Sequence, residues 1–328
     1  MATPWQRAWP ILKLLFAVAI LVAVGWQFAH YLRDLDLHEL EFRPAWLALS
    51  AILYLAFLGS SCWFWQRLLV HFGHRPPTRM IARAYYVSQL AKYVPGKAWT
   101  LWLRGGMVQT RELHLGLAIV TSLYEVLTTM AAGALVASIA FFLQPPPKLA
   151  IEINPELIIE IDPAMAAPVF FILCVIPLLP VLFNRIVRRF ANKLPTEEAE
   201  LLPHIDLAML LQGVAITACG WCLMGLSVWA SLAAVLPEPP ALDISTWLQC
   251  LGTIGLAYVG GFLVFVLPNG VGPRDWALLK LLAFAGPKTQ IAAVVLVMRL
   301  TWTVAEVIIA AVLYPIAKKE PSQPEPRP

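Results

Sequence analysis

Three ionisable residues stand where a chain this apolar should have none. Glu125 lies inside the otherwise uncharged run Leu115–Leu143, and Arg299 and Glu306 lie inside Ile291–Ala317. Each would cost about 2.5–3.5 kcal/mol facing lipid at the middle of a membrane helix, so each must face protein, water or a ligand. The chemistry open to them is ion pairing, proton relay or neutralising a charged substrate. Arg299 and Glu306 are two helical turns apart on one face, roughly 10 Å along the axis, with Thr303 between them. Glu125 has Thr121, Thr128 and Thr129 as helical neighbours. This spacing predicts that Arg299 meets Glu125 across the bundle and that Glu306 lies deeper along the same cavity. The alternative is a buried pair that only fixes helix packing.

A second group of residues surrounds two Pro-Gly breaks. The amphipathic stretch Arg79–Tyr93 runs into Tyr93-Val94-Pro95-Gly96-Lys97, and an apolar patch and Arg104 follow. Further on, Pro268-Asn269-Gly270-Val271-Gly272-Pro273-Arg274-Asp275 leads into an apolar helix from Trp276 to Phe284. Helix, break, short helix is the pattern of a re-entrant segment, tolerated in a bilayer only where it lines a cavity or is buried in protein. The start of the Trp276 helix presents unpaired N–H groups beside Arg274, a setting for phosphate or another anion. Lys97, Arg104 and Arg274 would draw an anionic head group to these breaks, with Asp275 beside them. Surface turns with snorkelling cations are the plainer reading. The register favours the first. Pro95 precedes Glu125 by 30 residues and Pro268 precedes Arg299 by 31, and broken segments in matching halves point to a transporter's binding site.

The elements that must hold these residues follow from hydropathy. The 328 residues are 59% hydrophobic and 13% charged, about half the usual charge of a soluble domain, with mean hydropathy +0.71. Seven stretches approach the ~20 apolar residues that cross a bilayer: Ile11–Ala29, Pro44–Trp65, Leu115–Leu143, Ala164–Phe183, Leu207–Leu236, Ile244–Leu267 and Ile291–Ala317. The expected fold is all-α, a polytopic bundle of about seven spans with room for an eighth, carrying two re-entrant segments in a weak internal repeat. Residues 1–317 read as one membrane domain, with half-repeats at about 10–143 and 207–317 and a linking span at 164–183. Residues 318–328 read as a disordered tail. The first stretch lacks a small-x-small cleavage pattern and reads as a retained span.

Lys and Arg crowd the N-terminus and the 66–114 loop, whereas the alternate loops hold only Arg33, Arg43 and Lys148 among many acidic residues. The positive-inside rule therefore places the N-terminus in the cytoplasm of a cell (inner) membrane protein. Lys318, Lys319 and Arg327 disagree with an outside C-terminus. Cys219 and Cys222 form a C-x-x-C within an uncharged span, and His71 and His74 have no carboxylate nearby, so no metal is expected. Nor does the sequence call for a cofactor or nucleic acid.

The chain resembles the flippase-like transmembrane domain of lysylphosphatidylglycerol synthases and its stand-alone relatives, over nearly all of residues 10–317. The marks are Tyr93-Val94-Pro95-Gly96-Lys97, Glu125, the Pro268–Asp275 turn and Met298-Arg299-Leu300. The family's second turn usually reads Pro-Gly-Gly-x-Gly-x-x-Glu. Here Asn269 replaces a Gly, Pro273 an apolar residue and Asp275 the Glu. The resemblance implies movement of an anionic or modified lipid, of phospholipid or polyprenyl-phosphate type, between leaflets. It does not imply lysyl transfer, which in the full synthases belongs to a separate soluble domain. Transport without catalysis is thus expected, with membrane lipids as partners and a glycosyltransferase or other lipid-pathway enzyme as a further one. Two alternatives stay open: a membrane transferase acting on a lipid phosphate through Asp275 or Glu125, and an accessory subunit of a glycosyltransferase.

Overall fold

The computed structural model describes residues 42–93, 98–110, 113–154, 157–191, 205–263 and 273–316. Stretch 11–29, both Pro-Gly breaks with Pro95, Gly96, Lys97, Pro268, Asn269, Gly270 and Gly272, and the tail 318–328 lie outside them.

The described residues form ten α-helices and one β-hairpin: α1 (Pro44–His71), α2 (Thr78–Gln89, then a 3-10 turn Leu90–Tyr93), α3 (Ala98–Val108), α4 (Leu115–Leu143), the hairpin β1–β2 (Leu149–Asn154, Leu157–Ile161), α5 (Pro163–Val175), α6 (Pro180–Ala191), α7 (Leu207–Val235), α8 (Ile244–Leu263), α9 (Pro273–Leu281) and α10 (Lys288–Ile316). Five of them, α1, α4, α7, α8 and α10, are long and apolar enough to cross a membrane. The 29-residue helices α4, α7 and α10 run about 43 Å, longer than a ~30 Å hydrocarbon core. Large apolar side chains cover the outside, among them Ile52, Phe142, Met165, Val181, Leu211 and Ile308. An apolar exterior this extensive suits lipid as the surrounding solvent. The protein is thus an α-helical bundle of membrane type.

Acidic caps start three helices. Asp162 Oδ1 accepts from the Ala164 N–H at 2.9 Å, Asp206 Oδ1 from Met209 at 2.8 Å and Asp243 Oδ1 from Thr246 at 2.7 Å. Each supplies one of the acceptors that the orphan donors of a first turn require. The Thr246 backbone bond holds the Asp243 carboxyl below its ordinary range.

Two features differ from expectation. Ala164–Phe183 is not one span: α5 ends at Val175, a 3-10 turn covers Ile176–Leu178, and α6 begins at Pro180. The cause is local. Leu179 precedes a proline and adopts φ −53°, ψ 128°, leaving the helical region and breaking the axis. The connection after α4 also contains the antiparallel hairpin, Leu149 facing Ile161 and Ile151 facing Ile159, with an irregularity between Glu152 and Asn154. The run Leu-Ile-Ile-Glu-Ile has the β-branched content and alternation that favour a strand.

Small residues let the long helices approach. α1 lies along α7, the most extensive pairing in the bundle, and α4 is packed by α5, α7 and α8. Trp221 of α7 lies against Gly133 of α4, where a Cβ would meet the indole at 2.6 Å, and its Nε1 donates to the Thr129 carbonyl at 2.8 Å. At Gly255 of α8 a Cβ would stand 2.7 Å from the Gly133 carbonyl oxygen. Close backbone approach of this kind, with hydrogen bonds between helices, replaces the hydrophobic effect as the cohesive force inside a bilayer. Ser50, Ser227, Ser231 and the Trp302 Nε1 form a buried polar knot joining α1, α7 and α10, for example Ser50 Oγ to Ser231 Oγ at 2.9 Å.

Candidate functional site

Three ion pairs lie at the centre of the bundle. Arg104 of α3 donates through Nη1 to Glu125 Oε2 of α4 at 2.6 Å, and both side chains are 1% exposed. Tyr85 donates to the other Glu125 oxygen at 3.0 Å and Thr129 to the same atom at 3.2 Å. Ser88 accepts from Arg104 Nε at 3.2 Å, and the guanidinium lies 4.0 Å over the Tyr85 ring. Every face of this pair is engaged, as burial of two charges in apolar surroundings requires.

The second pair joins Arg299 of α10 to Asp275 of α9. The third joins Lys92, on the turn after α2, to Glu306 of α10. Tyr54 of α1 also donates to Glu306, and Tyr93 reaches its other oxygen at 3.0 Å and Thr303 at 2.8 Å. The expected meeting of Arg299 with Glu125 is therefore corrected. Each takes its partner from the short helix that precedes its own long one, because α3 packs on α4 and α9 on α10. The two pairs repeat with reversed sign: cation on α3 and anion on α4, then anion on α9 and cation on α10.

Arg274 differs from these cations. It is 6% exposed, yet among the described residues it has no ion pair, and its Nε has no hydrogen-bond partner. It lies 4.5 Å over the Tyr258 ring and 5.6 Å from the Trp302 ring. Trp302 in turn stacks on Tyr54 at 4.8 Å. Among the described residues, four cations thus gather around three carboxylates.

A cavity of about 280 Å³ opens among these groups. Lys92, Arg104 and Arg274 line it, with Glu125 as the single carboxylate of its wall among the described residues. Phe57, Leu101, Val126, Met130 and Phe262 supply much of the rest, and the wall extends to Leu123, an exposed residue of α4. A head group fits such a volume, near the lower end of small-molecule sites, whereas a whole lipid does not.

The residues expected from sequence fall into place unevenly. Glu125, Arg104 and Arg274 share the cavity wall. Asp275, Arg299 and Glu306 are buried behind it as ion-pair members, and Tyr93 holds Glu306. Arg104 is not a surface cation waiting for lipid but one of the most buried residues in the bundle. Arg274 and Asp275 belong to the first turn of α9 rather than to the turn before it, because Pro273 opens the helix where a missing N–H costs nothing. Lys92, Tyr54, Tyr85, Tyr258 and Trp302 were not singled out from sequence. Lys92 reads there as the polar face of an amphipathic helix, and a Tyr or Trp in an apolar span carries no mark of its partner. Among the described residues no group of three or more His, Cys, Asp or Glu could hold a metal ion.

Comparison with protein-family models gave no match, and no curated protein matched the sequence.

Proposed function

We propose that the protein moves an anionic or modified lipid, of phospholipid or polyprenyl-phosphate type, between the leaflets of the cell (inner) membrane. The head group would pass through the cavity while the acyl chains stay in the bilayer. One observation carries this reading: Arg274, buried in the cavity wall beside Lys92 and Arg104, has no ion pair among the described residues and an Nε without a hydrogen-bond partner. A buried, uncompensated guanidinium is costly in the empty state and favourable once an anion arrives.

The resemblance to the flippase-like domain of lysylphosphatidylglycerol synthases supports the same reading. So does the sign-reversed repetition of Arg104–Glu125 and Asp275–Arg299, one pair in each half-repeat. In this account Ile11–Ala29 is a further span, the N-terminus is cytoplasmic, and the two Pro-Gly breaks form re-entrant segments facing the cavity. Asp275 and Glu125, the carboxylates a transferase would need, are each engaged by a guanidinium, so transport is the better supported class.

The test is transport in phosphatidylcholine vesicles carrying fluorescent phosphatidylglycerol, with the outer label quenched by dithionite. Wild-type protein is expected to expose the inner label, and Arg274→Gln to slow this at least tenfold, since an anion about 4 Å from a cation gains about 4 kcal/mol at an effective dielectric of 20. Rates equal to protein-free vesicles for phosphatidylglycerol and for a labelled polyprenyl phosphate would overturn the proposal.

A further inference from the structure

Lys92 belongs to two sites at once. Lys92 lines the cavity with Arg104 and Arg274, and it is also the cation paired with Glu306, which is buried and not part of the lining. It further donates to Tyr54 Oη at 3.1 Å, and Tyr54 itself donates to Glu306. Arg104 and Arg299 are tied to carboxylates by guanidinium contacts in buried surroundings, whereas the Lys92 side chain keeps 17% of its surface exposed. It is the paired cation best placed to turn toward a ligand.

We propose that Glu306 is a proton site that couples anion binding in the cavity to proton uptake, a step that rests on the anion-binding reading above. An anion in the cavity competes with Glu306 for the Lys92 ammonium. When Lys92 turns to the anion, Glu306 keeps Tyr54 and Tyr93, both neutral hydroxyls. A carboxylate buried among neutral groups takes a proton instead of remaining charged. The proton comes from water in the cavity, by way of the position the ammonium leaves. Of the charged and titratable groups facing Glu306, Tyr54 comes from α1 and Lys92 and Tyr93 from the turn after α2. On α10 itself Arg299, two turns earlier, is held by Asp275 of α9. Among the described residues, Lys92 is the one cation paired with Glu306. Linkage then fixes the sign: if the bound state holds one more proton, affinity for the anion rises as pH falls, approaching about tenfold per unit.

The experiment uses the full chain in phosphatidylcholine nanodiscs, with dihexanoylphosphatidylglycerol as probe because its phosphodiester stays singly charged across the pH range. Affinity is measured as a function of pH, and proton uptake is followed with an indicator dye in weak buffer. Wild-type protein is expected to take up a proton on binding and to bind more tightly at lower pH. Glu306→Gln is expected to bind with no uptake and no pH slope, and Lys92→Gln to bind more weakly, also without uptake. Binding by the wild type without uptake, or a pH slope that persists in Glu306→Gln, overturns the coupling and leaves the anion site standing. Uptake that persists in Lys92→Gln overturns the route through Lys92. Absence of any binding overturns the anion site, and the coupling with it.

Discussion

Removing Arg104 should be far more damaging alone than together with Glu125. The two side chains meet at 2.6 Å and are each 1% exposed, so either single truncation leaves an uncompensated buried charge. Such losses cost about 3–5 kcal/mol, and Arg104→Met or Glu125→Leu is expected to fall in that range. If the effects were independent, the double variant would lose about 6–10 kcal/mol. The structure predicts much less. With both charges gone, Thr129 keeps Ser61 at 3.1 Å and Ser88 keeps the Tyr85 carbonyl at 2.8 Å. Only the Tyr85 hydroxyl loses its acceptor, at about 1–3 kcal/mol. The double variant should therefore sit about 1–3 kcal/mol below wild type, with a coupling of several kcal/mol between the sites. Equilibrium unfolding in mixed micelles, followed by tryptophan fluorescence, measures all four corners of the cycle. Additivity within about 0.5 kcal/mol would show that the two groups are not a closed pair, and would refute this part of the account.

Other expectations test separate parts of the molecule. Gly255→Ala places a methyl against the Gly133 carbonyl, backbone that cannot turn aside, so it should lower the unfolding temperature in detergent more than Gly116→Ala, where nothing lies within 4 Å. Arg43→Gln removes donors from the Ala233 carbonyl at 3.3 Å and the Pro237 carbonyl at 2.9 Å beyond the end of α7, with an expected loss of about 1 kcal/mol in the same unfolding assay. Trp302→Phe keeps a ring beside Tyr54 and Arg274 but releases Ser227 and Ser50, so it should reduce stability by about 1–2 kcal/mol and affect binding of anionic lipid less than Arg274→Gln does.

The bundle was legible in the sequence because its signal is one-dimensional. Long uncharged runs with few breakers can only be helices in a bilayer, and α1, α4, α7, α8 and α10 lie where hydropathy places them. Proline chemistry was read less well. Pro177 and Pro180 split the fourth stretch, and hydropathy averages over a break that depends on the φ/ψ of one residue, Leu179. At the site, Glu125, Arg299 and Glu306 announced themselves by cost alone, but cost does not name a partner. Choosing Arg104 over Arg299 for Glu125 needs the packing of α3 on α4, and that follows from where the chain turns back rather than from charge spacing. Lys92 was hidden for the opposite reason. A Lys on an amphipathic helix is ordinary, and only the approach of α10 makes it the partner of the buried Glu306.

The central claim, that the cavity receives an anionic head group, is tested most directly by an experimental density map of the protein in nanodiscs rich in phosphatidylglycerol. The account predicts a phosphate within hydrogen-bond reach of Arg274, in the space bounded by Lys92 and Arg104, with its acyl chains leaving past Leu123. A cavity holding only water or an acyl chain, with the nearest phosphate at the membrane surface, would contradict it.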